Sequence, residues 1–237
     1  MRINVYISST GYCSRREADR LIQAGKVTID YQKASVGMEV EESNVVRIDG
    51  KIIKERPKTV YIAFNKPIGI ISTTDQTKVN NIIDYINFPE RIFPIGRLDK
   101  DTSGLILLTN DGCIVNEILR SENNHDKENI VEVDKTFDMQ FIQAMASGVE
   151  IYNPVQHVKV LTKPSIIKNI TDKSFSLIIS QGLNLQIRRM CQALGYRVIG
   201  LKRIRIMNIE LGDLKVGNWR YLSNMEVDNL LKRIHNR

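Results

Sequence analysis

Apolar residues recur along this 237-residue chain in helical and strand rhythms that change in step with its turn signals. Ile3, Tyr6 and Ile7 fit one face of a short helix that Gly11 ends. Ser14-Arg15-Arg16-Glu17 has the S-x-x-E form of a capping box, and Ala18, Leu21 and Ile22 follow at helical spacing. That second helix buries one face and carries Arg15, Arg16 and Arg20 elsewhere. Val27 to Ile29 and Val45 to Ile53 read as strands, with Asp49-Gly50 as the hairpin turn. Residues 1–55 therefore form a small α/β module, and the polar run Lys54 to Lys58, broken by Pro57, is the expected linker.

A second domain is expected over 60–237. Val60 to Phe64 is a strand, Asn65 to Gly69 a turn, and Val79 to Ile86 a short amphipathic helix. Leu105 to Thr109 is a short apolar strand closed by Asn110-Asp111-Gly112. Helices follow at Ile114 to Leu119 and around Phe141, Ile142 and Met145, with a strand at Asn129 to Val133 between them. His157 to Lys163 and Ser174 to Ser180 alternate as strands. Ile187, Met190, Cys191 and Leu194 then keep helical spacing up to Gly195, with Arg188 and Arg189 off the apolar stripe. Val198 to Ile206 has one buried and one basic face, the latter including Lys202 and Arg203. Trp219 is expected as a core anchor, and Ser223 to Glu226 as a second capping box for a closing helix.

Composition narrows the class. A 42% hydrophobic content suffices for a sizeable core, and no apolar run is long enough to span a bilayer, so a cytoplasmic protein is expected. Three widely separated cysteines and three scattered histidines suggest neither a disulfide framework nor a metal site. The formal charge of +7 is concentrated: Gly182 to Arg220 has eight basic residues against Glu210 and Asp213, a net +6. Such a patch attracts polyanions, although a solvated basic face kept for solubility has the same composition.

Candidate chemistry centres on Phe93 to Gly112, where Arg97, Asp99, Lys100 and Asp101 occupy five consecutive positions before the apolar strand. A carboxylate near an arginine, on a loop fixed by a buried strand, suits a nucleophile or base. A turn whose charges pair in solvent fits the same residues.

The segment GRLDKDTSGLILLTNDG resembles the signature of rRNA pseudouridine synthases of the RsuA type, most of all their F branch, whose substrate is the RNA of the large ribosomal subunit. NKPIGIISTTD resembles the segment preceding that loop, and QGLNLQIRRMCQALGY the family's third motif. GYCSRREADRLIQAGKVTI resembles an S4 RNA-binding domain. The resemblance implies an α+β protein: an S4-like module, then a catalytic domain on a mostly antiparallel mixed sheet. It implies a monomer that needs no metal or cofactor and acts on ribosomal RNA, with large-subunit rRNA the leading candidate.

In the mechanism so implied, the target uridine flips out of its stack, Asp99 acts at the ribose to release uracil from N1, the base rotates, and C5 rejoins C1′. Direct attack on C1′ and removal of a 2′ proton both remain open. Arg188 would pair with Asp99, Arg97 would steer the nucleotide, and Arg15, Arg16, Arg20, Arg189, Lys202 and Arg203 would meet RNA. Lys66 is a candidate phosphate contact, although a turn lysine is commonly just solvated.

Val5, Tyr31 and Leu185 depart from the family pattern, and Asn129 does so at the site itself. The pattern K-E-Y-I-V becomes Lys127-Glu128-Asn129-Ile130-Val131, so the tyrosine expected to pack on the flipped uracil is missing. Losing one aromatic stack removes about 1–3 kcal/mol per base, and impaired chemistry is expected. A binding protein that assists rRNA assembly without isomerising it is the competing reading. Retention of Asp99, Arg97 and Arg188 favours an enzyme, and a DNA- or tRNA-directed protein fits the resemblance less well.

Overall fold

The structure is a computed structural model that describes residues 1–53, 58–119 and 125–235. Most of the expected linker lies outside the described residues. The chain divides into two compact units: Met1–Val60 with Phe88–Ile92 and Asn110–Gly112, and Tyr61–Asn87 with Phe93–Thr109 and Cys113–Arg237.

The first unit contains helices α1 (Ile3–Ser9) and α2 (Arg15–Gln23) and strands β1 (Val27–Ile29), β2 (Gln32–Lys33), β3 (Val46–Ile48) and β4 (Lys51–Ile52). The strands form an antiparallel sheet in the order β2-β1-β3-β4. Ile3, Ile7, Ala18 and Ile22 of the helices pack with Val27, Val46 and Ile48, so the helices cover one sheet face. Ser14 Oγ accepts from the Glu17 backbone N–H at 3.2 Å, while the Glu17 carboxylate takes Arg20 at 3.0 Å, so only half of the reciprocal box forms.

Strand β2 was not visible in the alternation because it is only two residues long. The chain reaches it through Asp30 and Tyr31, both left-handed with φ of 46° and 71°. Left-handed backbone at a bulky residue costs about 1–2 kcal/mol. The Arg47 guanidinium, 4.0 Å from the centre of the Tyr31 ring, offsets about 0.5–1 kcal/mol of that at an exposed site. Glycine would fit this turn with less strain.

The second unit contains, in chain order, β5 (Tyr61–Lys66), α3 (Ile82–Ile86), β6 (Phe93–Ile95), β7 (Ser103–Thr109), α4 (Gly112–Leu119), β8 (Lys127–Val133), α5 (Met139–Ser147), β9 (Glu150–Asn153) and β10 (Val158–Leu161). It continues with β11 (Ile166–Lys168), β12 (Ser174–Ile179), α6 (Gln186–Ala193), β13 (Val198–Ile206), β14 (Ile209–Glu210), β15 (Trp219–Tyr221) and α7 (Asn224–His235). The large sheet has the order β11-β12-β8-β13-β7-β5-β15, with β14 on β13 and β6 on β7, and β9 and β10 form a separate hairpin. Among the described residues, its parallel contact is β13 on β7 and its other pairings are antiparallel. The expected α+β class with a mostly antiparallel sheet is what folds.

Two apolar clusters support that sheet. One gathers Val131, Phe141, Met145, Phe175, Leu177, Met190 and Cys191, and the other Ala63, Leu105, Leu107, Ile206, Ile209 and Leu230. The closing helix starts as expected: Ser223 Oγ accepts from Glu226 N–H at 3.2 Å and the Glu226 carboxylate accepts from Ser223 N–H at 2.8 Å. The Arg220 guanidinium also grips that carboxylate, at 2.8 and 2.7 Å, and pushes the Glu226 carboxyl down to about 2. Trp219 is half-buried on edge strand β15, its ring edge-on to Tyr221 at 5.3 Å, rather than anchoring the core.

The parallel contact is a place of close backbone approach. Lys202 pairs with Ser103 and Arg203 with Gly104, and a β-carbon on Gly104, whose φ is 103°, would fall on the Arg203 backbone carbonyl. Gly69 has a similar φ of 92° with open space around it. Gly104→Ala is therefore expected to destabilise the protein by about 3 kcal/mol or more in chemical denaturation, and Gly69→Ala by about 1 kcal/mol. Equal effects would mean that backbone strain, not close approach, fixes Gly104.

Candidate active site

The charged loop between β6 and β7 is pinned from both sides. Buried Ser72 donates its hydroxyl to the Leu98 carbonyl at 2.9 Å and accepts the Leu98 N–H at 3.2 Å. The Thr102 N–H reaches the Asp99 carbonyl at 3.1 Å, and the Gly69 N–H reaches the Lys100 carbonyl at 2.8 Å. Between these ties Arg97 is exposed and Asp99 half-buried. Among the described residues, no ion pair within 4 Å includes Asp99.

Asp99 lines a cavity of about 660 Å³ together with Arg97, Thr102, Lys127, Asn129, Leu185, Arg188 and Arg203. This volume lies in the range of pockets that hold small organic ligands. Two buried side-chain atoms of its lining residues, Thr102 Oγ1 and Arg203 Nη2, have no hydrogen-bond partner among the described residues.

Two buried cations, Arg203 and Lys66, and the half-buried Lys127 lie at or beside this cavity. Arg203 is 7% exposed and donates Nε to the Leu105 carbonyl at 2.7 Å. Burial pushes its guanidinium down to about 10, against the field of Asp99. Lys66 is fully buried, with Nζ donating to the Pro67 and Ile70 carbonyls, each at 2.9 Å. Burial pushes its ammonium down to about 8, opposed by Asp99 and then Asp101. Lys127 donates to the His125 carbonyl at 3.0 Å, and burial followed by repulsion from Arg203 lowers it to about 8.

These positions change three expectations. Lys66 presents no surface to a phosphate because the turn after β5 folds its own carbonyls around the ammonium. Arg203 is not part of an exposed groove, since a register shift of β13 against β8 between Arg203 and Arg205 leaves it inward, opposite Asn129 and Gly104. Arg188, expected to pair with Asp99, donates instead to the Asp101 carbonyl at 2.8 Å and the Val198 carbonyl at 3.2 Å. It ties the charged loop to the strand after α6.

Arg189 is also committed, to Asn184 O at 3.0 Å, Asn184 Oδ1 at 3.2 Å and Tyr152 O at 3.0 Å, so it braces the loop before α6. Leu185 in that loop is left-handed, with φ of 51°. Lys202 is half-buried, whereas Arg15, Arg16 and Arg20 are exposed on α2.

Asn129 is 4% exposed and folds back on its own sheet, with Nδ2 3.3 Å from the Lys127 carbonyl and 3.5 Å from that of Leu177. No aromatic side chain replaces the missing tyrosine: none is present among the described residues that line the cavity. Ser72 and Thr102 were missed in the sequence because single small hydroxyl residues are commonly solvated, and only the fold buries them.

An RNA pseudouridylate synthase model matches residues 60–193, and an S4 domain model matches residues 1–46. The chain belongs to the RNA pseudouridylate synthase family. It is 46% identical to the dual-specificity RNA pseudouridine synthase RluF of Escherichia coli K12, over 100% of this chain and 80% of that protein. It is 33% identical to the ribosomal large subunit pseudouridine synthase B of Bacillus subtilis, over 97% of this chain and 95% of that one. A crystal structure of a pseudouridylate synthase superposes with a TM-score of 0.71 at 26% identity, covering 97% of this chain and 99% of the other. In this pseudouridylate synthase, Asp99 lies on the loop that carries the signature segment.

The buried lysine makes stability depend on pH in a defined direction. Lys66 titrates near 8 when folded and near its ordinary 10.5 when unfolded, so the unfolded chain holds more protons between those values and stability rises with pH there. Lys66→Met is expected to lessen that rise in denaturation curves, the share of Lys127 remaining, while leaving RNA affinity within about two-fold, because the ammonium is enclosed. A large loss of RNA affinity would show that Lys66 reaches the nucleic acid after all.

Proposed function

We propose that this protein isomerises a uridine of large-subunit ribosomal RNA to pseudouridine, with Asp99 as the catalytic residue. The observation that carries the reading is the placement of Asp99: a carboxylate outside any close ion pair among the described residues, on a pinned loop, at a nucleoside-sized cavity. The fields of two buried cations, Lys66 and Arg203, act on it. Fixed charges in a partly dry site act more strongly than the same charges in water. The Bacillus subtilis relative is named for the ribosomal large subunit, which supports that RNA as the substrate.

The flipped uridine enters the cavity past exposed Arg97. Asp99 acts at the ribose, either by attack on C1′ or by taking a 2′ proton, and the N1–C1′ bond breaks. The uracil turns, C5 bonds to C1′ as the Asp99–C1′ bond breaks or, on the other route, as the 2′ proton returns from Asp99, the C5 proton leaves, and N1 ends protonated. Arg203 is a positioning residue beneath Asp99, and Arg188 positions the loop through the Asp101 carbonyl. Arg15, Arg16 and Arg20 hold the RNA from the S4 domain.

The lack of an aromatic side chain among the described residues that line the cavity favours a second reading, in which the chain binds rRNA and turns over slowly or not at all. Asn129 offers hydrogen bonds where the family has a ring. Pseudouridine mapping in deproteinised large-subunit rRNA separates the readings. Site-specific product is expected from the unaltered chain and none from Asp99→Asn, with RNA affinity retained within a few-fold. Asn129→Tyr is expected to raise the rate. Product that survives Asp99→Asn would sink the assignment, and product from Asn129→Tyr alone would favour the binding protein.

A further inference from the structure

We infer that the S4 module carries a second RNA contact, on the sheet face away from its helices, where Tyr31 stacks an unpaired base. Lys33 and Arg47 both pair in register with Thr28, so the three side chains leave the same face of the sheet. Val27, Val46 and Ile48 leave the opposite face and pack against α1 and α2. The row is therefore distinct from the arginines of α2.

Tyr31 caps the row at the β1–β2 turn. It is 81% exposed, and Arg47 lies 4.0 Å from its ring centre on one face, which leaves the other face for a ligand. Arg47 Nη1 is buried and has no hydrogen-bond partner among the described residues. The Asp30 carboxylate accepts from the Val45 N–H at 2.8 Å and Asn44 Nδ2 at 2.6 Å, which hold it below the usual carboxylate range, and the field of Arg47 is the least of the influences on it. These bonds hold the turn that presents the ring.

The strain at Tyr31 exceeds what the Arg47 contact offsets, so folding alone does not account for an aromatic residue there. An aromatic ring beside cations suits a nucleobase: stacking is tolerant of sequence because every base has a flat face, and Lys33 and Arg47 attract the phosphates. A base held in a duplex is not available to such a platform. The inference rests on RNA as the ligand in the proposed function.

The test uses the full chain, fluorescence anisotropy, and two probes: labelled decauridylate and a labelled RNA duplex of equal charge. Tyr31→Gly suits the left-handed turn and is expected to keep or raise the thermal midpoint. It is expected to weaken decauridylate binding by about 5- to 150-fold and duplex binding by less than about two-fold, while Tyr31→Trp binds both like the unaltered chain. Unaltered chain that binds RNA with no effect of Tyr31→Gly, or with equal loss on both probes, overturns the platform alone. Unaltered chain that binds neither RNA overturns both the platform and the RNA reading on which it rests.

Discussion

Everything around Asp99 depends on how closely β13 approaches β7. The two strands run parallel there, and the contact leaves no room for a β-carbon at position 104. Because Gly104 yields that space, the Arg203 guanidinium reaches the Leu105 carbonyl and remains inside the sheet. The same β7 pairs with β5, setting Lys66 opposite Gly104. A single glycine thus brings two buried cations to the strand that leads out of the charged loop.

Burying such groups is unfavourable unless they are bonded or paired, and here the bonding is incomplete. Lys66 is satisfied by two carbonyls, while Arg203 keeps one nitrogen without a partner among the described residues. A well-packed apolar pair would fold as well or better. Under the proposed function the cations serve as a fixed electrostatic floor for chemistry rather than as a contribution to stability, which fits the place of Arg203 in a cavity shared by Asp99, Thr102 and Asn129.

Much of this was legible in the chain because it was local. The S-x-x-E signal marked the start of α2 and of α7, and Asp49-Gly50 marked the β3–β4 turn. The signature loop located Asp99. What escaped was set by pairing across the sheet. Alternation in VIGLKRIRI could not tell which basic residue turns inward, because the register shift beside Arg203 breaks the two-residue period. Lys66 stood in a turn where lysines are usually wet. Strands β2 and β9 were too short to show a period. Arg188 was correctly assigned to a helix flank, but its bonds to backbone carbonyls depend on where the Asp101 turn and Val198 arrive in space.

The most direct test of this electrostatic floor is single-turnover conversion of uridine to pseudouridine by Arg203→Met, with RNA affinity measured on the same preparation. Methionine fills similar apolar space without a charge, so the sheet is expected to stay folded. The expected result is a rate lower by about 100-fold or more at unchanged affinity, as for loss of a fixed electrostatic group from a site. A rate equal to that of the unaltered chain would contradict the role given to the buried arginine.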